Sequence, residues 1–145
     1  MVNAEIYTEE EMTQETLLNL FRQAFLKTAF TAEGDLVVHT EGPSVLFEIN
    51  DTLKTLKMMA AYRIRLDTPM EKKLALVNQM NDDVALGRFS IPAANPDFMI
   101  ADCMLVYENG IAPYTIVASL RLFAKAVSFA IRTYDTEELV NRRDG

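Results

Sequence analysis

The stretch LKMMAAYRIRL, residues 56–66, decides the fold class of this chain. Its polarity alternates from one residue to the next, as in a β-strand, where successive side chains point to opposite faces of the sheet. The apolar side consists of Leu56, Met58, Ala60, Tyr62, Ile64 and Leu66, and the other side of Lys57, Met59, Ala61, Arg63 and Arg65. The pattern predicts an antiparallel strand with one face in the core and the other towards solvent.

A helix is the alternative for the first part of this segment, because residues 53–62 contain good helix formers. The alternation continues without a break through Arg65, which favours the strand. We leave open whether the whole segment 53–66 belongs to it.

Two further strands and a helix are predicted upstream of this segment. Leu36–His39 is short and β-branched, and residues 45–50 alternate after the turn residues 41–44. A first helix over residues 13–29 follows from apolar residues at three- and four-residue steps. Its apolar side consists of Leu17, Leu20, Phe21, Ala24, Phe25 and Thr28.

Downstream, residues 68–71 read Thr-Pro-Met-Glu, which predicts a capping box with proline at the first position of a second helix. Gly87 stands where a helix-terminating glycine is expected. Leu76 and Met80 lie off the apolar side of this helix, which consists of Met70, Leu74, Val77, Asn81 and Val84.

The last part of the chain predicts two strands and a third helix. Residues 88–91 form a short strand, and residues 98–107 form a strand that is apolar on both sides and should therefore be covered on both. The third helix spans residues 113–134 and places Arg121, Lys125, Ser128 and Arg132 on one narrow side. Its apolar side is wider than one sheet contact requires and includes Leu122 and Phe129, so helix one, a second subunit or a partner should cover it.

The element order α-β-β-β-α-β-β-α predicts an α+β fold in which helices pack on a five-stranded antiparallel sheet. The chain has 145 residues, which favours one domain, placed at residues 13–135. We expect residues 1–12 to form a flexible acidic start and residues 136–145 a polar tail.

The net charge of −7 disfavours nucleic acid and anionic membrane surfaces as partners. A single cysteine excludes an internal disulfide, and the first residues lack the basic start and apolar run of a signal peptide. We expect a cytoplasmic protein.

Candidates for catalysis and metal binding are few. One cysteine and one histidine cannot supply a zinc site, and the scattered glycines form no phosphate loop. His39 stands near a turn without a nucleophile motif, and apolar neighbours make Cys103 an inert thiol. We predict no catalytic residue, no cofactor and no metal.

Asp102 is the one charged residue in the apolar strand 98–107. A charge there needs a partner, and Arg63, Arg65 or Arg88 can supply it in a structural salt bridge. An enzyme with an acid–arginine site around Asp102 is the alternative.

The excess apolar surface predicts a non-enzymatic domain that binds itself and an unidentified protein. The candidate contact residues are Met59, Arg63, Arg65, Leu76, Met80, Leu122 and Phe129. A small-molecule sensor with an apolar pocket is a second alternative, because methionine-rich linings adapt to ligands.

Three segments together resemble the YbjN family, which is named for bacterial sensory transduction regulation. They are residues 30–38, the strand ending at residues 63–66, and residues 77–91 with their Val-Asn-Gln-Met-Asn and Gly-Arg-Phe-Ser-Ile sequences. The resemblance implies a fold similar to type III secretion chaperones, a homodimer, and no catalytic residues. It also implies a regulatory or chaperone-like role in sensory transduction or stress response.

Overall fold

The structure is a computed structural model that describes residues 5–140. In this range the helices and strands follow one another as α1 (Gln14–Gln23), β1 (Lys27–Phe30), β2 (Leu36–His39), β3 (Ser44–Asn50), β4 (Thr55–Arg63), α2 (Met70–Asp83), β5 (Arg88–Ser90), β6 (Phe98–Val106) and α3 (Pro113–Tyr134).

The strands form one antiparallel sheet in the order β1-β2-β3-β4-β6-β5. The α+β class and the antiparallel sheet are confirmed, but the sheet of residues 5–140 has six strands and the predicted five are wrong. The additional strand is β1, of which residues 27–29 fall within the predicted first helix. Residues 53–54 and 64–66 lie outside β4, and Leu66, predicted to face the core, is exposed.

α1 ends at Gln23, six residues before its predicted end at Ala29. Phe25 adopts a φ of 60°, and its N–H donates to the carbonyl of Arg22 at 3.0 Å. The N–H of Leu26 donates to the carbonyl of Phe21 at 2.9 Å, which completes a Schellman motif. The prediction failed because glycine usually occupies the position of Phe25, and a phenylalanine there continues the helical apolar pattern.

The core lies between the helices and one face of the sheet. Phe21 of α1 contacts Phe47 of β3, with ring centroids 4.8 Å apart. The inner face of the sheet consists of buried residues, among them Leu36, Val38, Val45, Phe47, Leu56, Met58, Ala60, Tyr62, Met99 and Ala101. The apolar side predicted for α3 is confirmed, since Ile116, Leu120, Phe123, Val127 and Ile131 are buried.

α2 differs from its prediction at both ends. Pro69 is its N-cap residue and no side chain caps the helix, because the Thr68 hydroxyl donates to the carbonyl of Arg65 at 2.6 Å. The predicted capping box is therefore wrong. The helix ends at Asp83, so Gly87 does not terminate it. Gly87 has a φ of +92° beside β6, where a Cβ would lie 3.0 Å from the carbonyl oxygen of Asp102.

The buried side of α2 is also rotated from the predicted one. Leu76 and Met80 are buried, whereas Met70 and Leu74 are exposed. α2 packs against β5 and α3 at the end of the sheet, and these contacts bury a different side of the helix from the predicted one.

Both ends of the described chain contact the domain. Tyr7 pairs with Ile111, and Met12 is buried. Asp135 accepts hydrogen bonds from the N–H groups of Leu139 and Val140 at 2.8 and 3.0 Å, and both apolar side chains are buried. These contacts involve parts of the segments predicted as a flexible start and a polar tail. Residues 1–4 and 141–145 of those segments lie outside the described residues, and the domain boundaries stay a prediction.

Within residues 5–140, α3 is the one helix whose length and composition would allow it to cross a membrane. The same properties suit a core helix, and α3 buries one full side against the rest of the domain.

Candidate interaction surfaces

His39 lies at the exposed end of β2, opposite Ser44 of β3. Its Nδ1 is 2.9 Å from the Ser44 hydroxyl. A catalytic triad needs a third group that orients the imidazole, and no hydrogen bond to the second ring nitrogen forms within residues 5–140. The arrangement is a polar cross-strand pair.

Cys103 faces the inner side of β6 and is half-buried. Burial raises the pKa of its thiol. A raised pKa lowers the thiolate fraction, which is the nucleophilic form, so the geometry supports an inert thiol.

Asp102 forms the predicted salt bridge with Arg88, its cross-strand neighbour in β5. Arg88 donates from Nε to Oδ1 at 3.2 Å and from Nη2 to Oδ2 at 2.8 Å. Arg63 instead lies over the ring of Phe98, 4.9 Å from its centroid. Asp102 lines neither the concavity beside Glu9 and Lys54 nor the one beside α3. The geometry therefore gives no support to an acid–arginine catalytic site.

Among residues 5–140, no group of three or more His, Cys, Asp or Glu side chains is arranged to hold a metal ion. The concavity beside the N-terminal segment, of about 430 Å³, is lined by Glu9, Glu10, Asp51 and Lys54 among others. Lys54 is 3.8 Å from Glu9. A charged, open lining of this kind differs from the apolar pocket expected of a small-molecule sensor.

The face of the sheet opposite the core is not covered by any described helix. We call it the outer sheet face, defined by the side chains of Val37, Leu46, Glu48, Lys57, Met59, Arg88, Asp102, Met104 and Val106. The cross-strand register places Met59 beside Leu46 and Met104 beside Lys57. Met104 is 54% and Val106 64% exposed. The expectation that residues 98–107 are covered on both sides is therefore not met within the single chain.

Charged pairs border the apolar part of the outer sheet face. Lys57 Nζ is 3.4 Å from Glu48 on one side, and Arg88 pairs with Asp102 on the other. The face thus presents apolar groups together with charges of both signs, which suits contact with another protein better than contact with lipid.

A second surface lies between α3, the α1–β1 corner and the β2–β3 hairpin. We call it the α3 groove; its volume is about 1330 Å³. It is lined by Phe25, Leu26, Lys27, His39, Thr40, Glu41, Gly42, Leu120, Arg121, Ala124, Lys125, Ser128, Phe129 and Arg132.

Two backbone features hold the walls of the α3 groove in place. The Schellman motif of α1 turns the chain sharply and projects the ring of Phe25 outwards. Gly42 lies so close to α3 that a Cβ there would collide with the hydroxyl of Ser128. Glycine therefore allows the hairpin to approach α3.

The structure separates the predicted contact residues. Met59, half-buried, and Arg63, exposed, project from the outer side of β4, and Arg65 is exposed beyond its end. Leu122 is 56% and Phe129 46% exposed on α3, and Phe129 lines the α3 groove. Leu76 and Met80 are buried in the core, so their assignment as contact residues is wrong.

Sequence reasoning missed several residues of both surfaces. Met104 and Val106 lie in the strand predicted to be covered on both sides, and they are exposed because no described helix covers its second side. Phe25 was placed inside a helix, and Lys27 with it. The positions of Phe25 and Lys27 depend on where α1 ends, and the apolar periodicity does not show that end.

A protein-family model matches residues 13–133 of the chain. The family is YbjN, described as "Putative bacterial sensory transduction regulator". Among curated proteins, none matches the sequence.

Two solved structures resemble the fold. The crystal structure of YbjN from E. coli, described as "a putative transcription regulator", superposes with a TM-score of 0.72 at 13% identity and covers 89% of this chain and 96% of that one. A chain of the HopA1–SchA chaperone–effector complex superposes with a TM-score of 0.55 at 14% identity, covering 83% of this chain and 91% of that one. At these identities the likeness concerns the fold alone.

Proposed function

This chain belongs to the YbjN family, and from that premise we propose that it is a non-enzymatic adaptor that binds other protein chains and works as a homodimer in the cytoplasm. Its role is regulatory or chaperone-like, in bacterial sensory transduction or stress response. The observation that carries the proposal is the uncovered outer sheet face.

The composition of the outer sheet face favours a protein partner. Exposed apolar residues that adjoin one another on a surface commonly mark an interaction site. Met59, Met104 and Val106 supply flexible and branched apolar groups at neighbouring positions. Methionine adapts to differently shaped partners, which suits an adaptor.

The charges of this face favour a second copy of the chain as one partner. A twofold interface brings the same patch of both subunits together, so it must be complementary to itself. The outer sheet face carries Lys57 and Arg88 as well as Glu48 and Asp102, so rotated copies can pair opposite charges around an apolar centre.

The fold of the SchA complex supports the chaperone-like part of the proposal at the level of architecture. That complex is described as one of a chaperone with its effector. The fold of one of its chains resembles 83% of the present chain. Fold likeness alone is an analogy, so the partner has to be found by experiment.

We expect Met104→Arg to dissociate the homodimer, because it places an uncompensated charge in the apolar centre of the interface. Light scattering coupled to size exclusion at ~50 µM should give twice the 16.4 kDa chain mass for the wild type and the monomer mass for the variant. Leu74→Arg is the matched control, since Leu74 is similarly exposed on α2 and should leave the dimer intact.

A monomeric wild type at this concentration would contradict the homodimer, as would a Met104→Arg variant that remains dimeric. Affinity purification of the tagged wild type from its own host, followed by mass spectrometry, tests the adaptor role separately. Failure to recover any partner, together with a monomeric wild type, would overturn the proposal.

A further inference from the structure

The α3 groove has a charge opposite to that of the whole chain. Arg121, Lys125 and Arg132 of α3 line it, against Glu41 as the acidic lining residue. Lys27 also borders the groove, but its pairing with His39 directs its side chain to the other face of the sheet. The chain carries a net charge of −7. Three of its 14 lysines and arginines are thus gathered on the α3 wall of one groove, with one of its 21 acidic residues.

No ion pair found among residues 5–140 uses any of these three cations. The ion pairs found among residues 5–140 involve Lys54, Lys57, Lys72 and Arg88. Arg121 and Lys125 are four residues apart on α3, and like charges at this spacing lower helix stability slightly. An anionic group bound in the groove would relieve this repulsion.

Apolar side chains alternate with the cations. Leu26, Leu120 and Ala124 form the floor, and Phe129 stands at the edge. Phe25 is 97% exposed at a φ of 60°, a conformation that is unfavourable for a residue with a Cβ. Within the single chain this ring gains almost no burial in exchange for the backbone strain, which points to a role in binding.

We propose that the α3 groove binds a short acidic amphipathic segment of another protein chain. Its carboxylates pair with Arg121, Lys125 and Arg132, and its apolar side chains pack against Phe25, Phe129 and the floor. The inference rests on the proposed protein-binding function and names the chemistry of the partner.

The dimensions of the groove agree with a segment of this kind. Its α3 wall extends from Leu120 to Arg132, about 18 Å at the rise of an α-helix. That length holds roughly three helical turns, or five to six residues of extended chain. Helices that bind in grooves present apolar residues at such spacings, with charged residues along their edges.

Other anions fit less well. A nucleic acid is longer than the groove and would extend over a protein whose remaining surface is acidic, which repels it. A membrane is flat, whereas this surface is concave. The chain's own acidic segment is held elsewhere, because Tyr7 pairs with Ile111 and Glu9 lies beside Lys54.

The test measures the fluorescence anisotropy of a labelled peptide of about 12 residues. In this peptide Leu and Phe recur at three- and four-residue steps, and Glu and Asp occupy the positions between them. A twin peptide carries Lys in place of every acid. We expect the acidic peptide to bind the wild type, the twin to bind at least about tenfold more weakly, and added salt to weaken binding.

Arg121→Glu/Lys125→Glu should lower the affinity for the acidic peptide at least about tenfold. Arg22→Glu/Lys72→Glu is the matched control: it changes the net charge equally, at exposed positions outside the groove, and should leave the affinity within about twofold. Phe25→Gly should weaken binding several-fold while the protein stays folded, a combination that a purely structural role would not produce.

Equal binding of both peptides, or equal binding by the two double variants, would overturn the proposal. So would tighter binding of oligothymidylate, or of vesicles containing phosphatidylserine, than of the acidic peptide. If the peptide fails but Met104→Arg dissociates the homodimer and the host partner is recovered, the groove assignment falls and the proposed function stands. If the peptide does not bind, Met104→Arg remains dimeric and no host partner is recovered, the groove assignment and the proposed function are both wrong.

Discussion

Asn81 joins α2 to β5 through both halves of its amide. Its Oδ1 accepts from the N–H of Phe89 and its Nδ2 donates to the carbonyl of Phe89, both at 2.8 Å. The helical spacing of Asn81 predicts that it lies on the apolar side of α2. The spacing does not show the hydrogen bonds that its amide forms with β5. An amide that satisfies both backbone groups of one residue fixes the register of a short strand.

Tyr62 illustrates a residue whose burial follows directly from the alternation of its strand. It faces the core, and burial raises its pKa from 10.0 to about 12. A raised pKa means that the folded state holds the proton more tightly than the unfolded state. The stability from this group is complete below pH 10 and is lost as the pH rises towards 12.

We therefore expect the free energy of unfolding to fall between pH 10 and 12, with Tyr62 contributing up to about 1.4 kcal/mol per pH unit. Urea unfolding followed by circular dichroism at several pH values measures this. Tyr62→Phe should reduce the slope, although Tyr107, whose pKa burial also raises, retains part of it. An unchanged slope in the variant would contradict the assignment.

At the scale of elements, the end of α1 determines how many strands the sheet has. The turn at Phe25 reverses the chain, and β1 pairs with β2 from Lys27 to Phe30. Three- and four-residue periodicity locates helices well but not their ends, because a cap depends on one backbone conformation. A phenylalanine in the left-handed region carries no signal of its own.

Phe25→Gly should stabilise the protein by about 0.5–1 kcal/mol, because glycine adopts this conformation without strain and the exposed ring contributes little burial. Phe25→Ala is the matched control: it removes the ring but keeps the Cβ, so no comparable gain is expected. Chemical unfolding of the three proteins decides between them. A loss of stability in Phe25→Gly would show that the ring packs in solution.

At the scale of the whole molecule, the two ends of the described chain pack on the domain. Ile64 pairs with Val140, and the N–H of Arg65 donates to the carbonyl of Leu139 at 2.7 Å. The composition of residues 136–145 indicates a polar tail, yet Leu139 and Val140 are apolar and belong to the core. Two apolar residues in a polar segment show no periodicity that would place them inside.

Leu139→Ala should therefore lower the free energy of unfolding by about 2–4 kcal/mol, as expected for a buried leucine. Thr136→Ala is the control, because Thr136 is exposed in the same segment, and it should change stability by less than about 0.5 kcal/mol. A loss below about 1 kcal/mol for Leu139→Ala would mean that the segment is detached in solution.

The sequence by itself determined the fold class, five of the strands and the family, because alternation and helical periodicity are properties of neighbouring residues. It also identified the salt bridge of Asp102, since a charge in an apolar strand requires a partner. It did not separate Leu76 and Met80, which are buried, from Met104 and Val106, which are exposed. Which side of an element faces the core depends on where its neighbours pack, and only the tertiary structure decided that. Both interaction surfaces likewise exist only after folding, because each combines side chains from segments far apart in the chain.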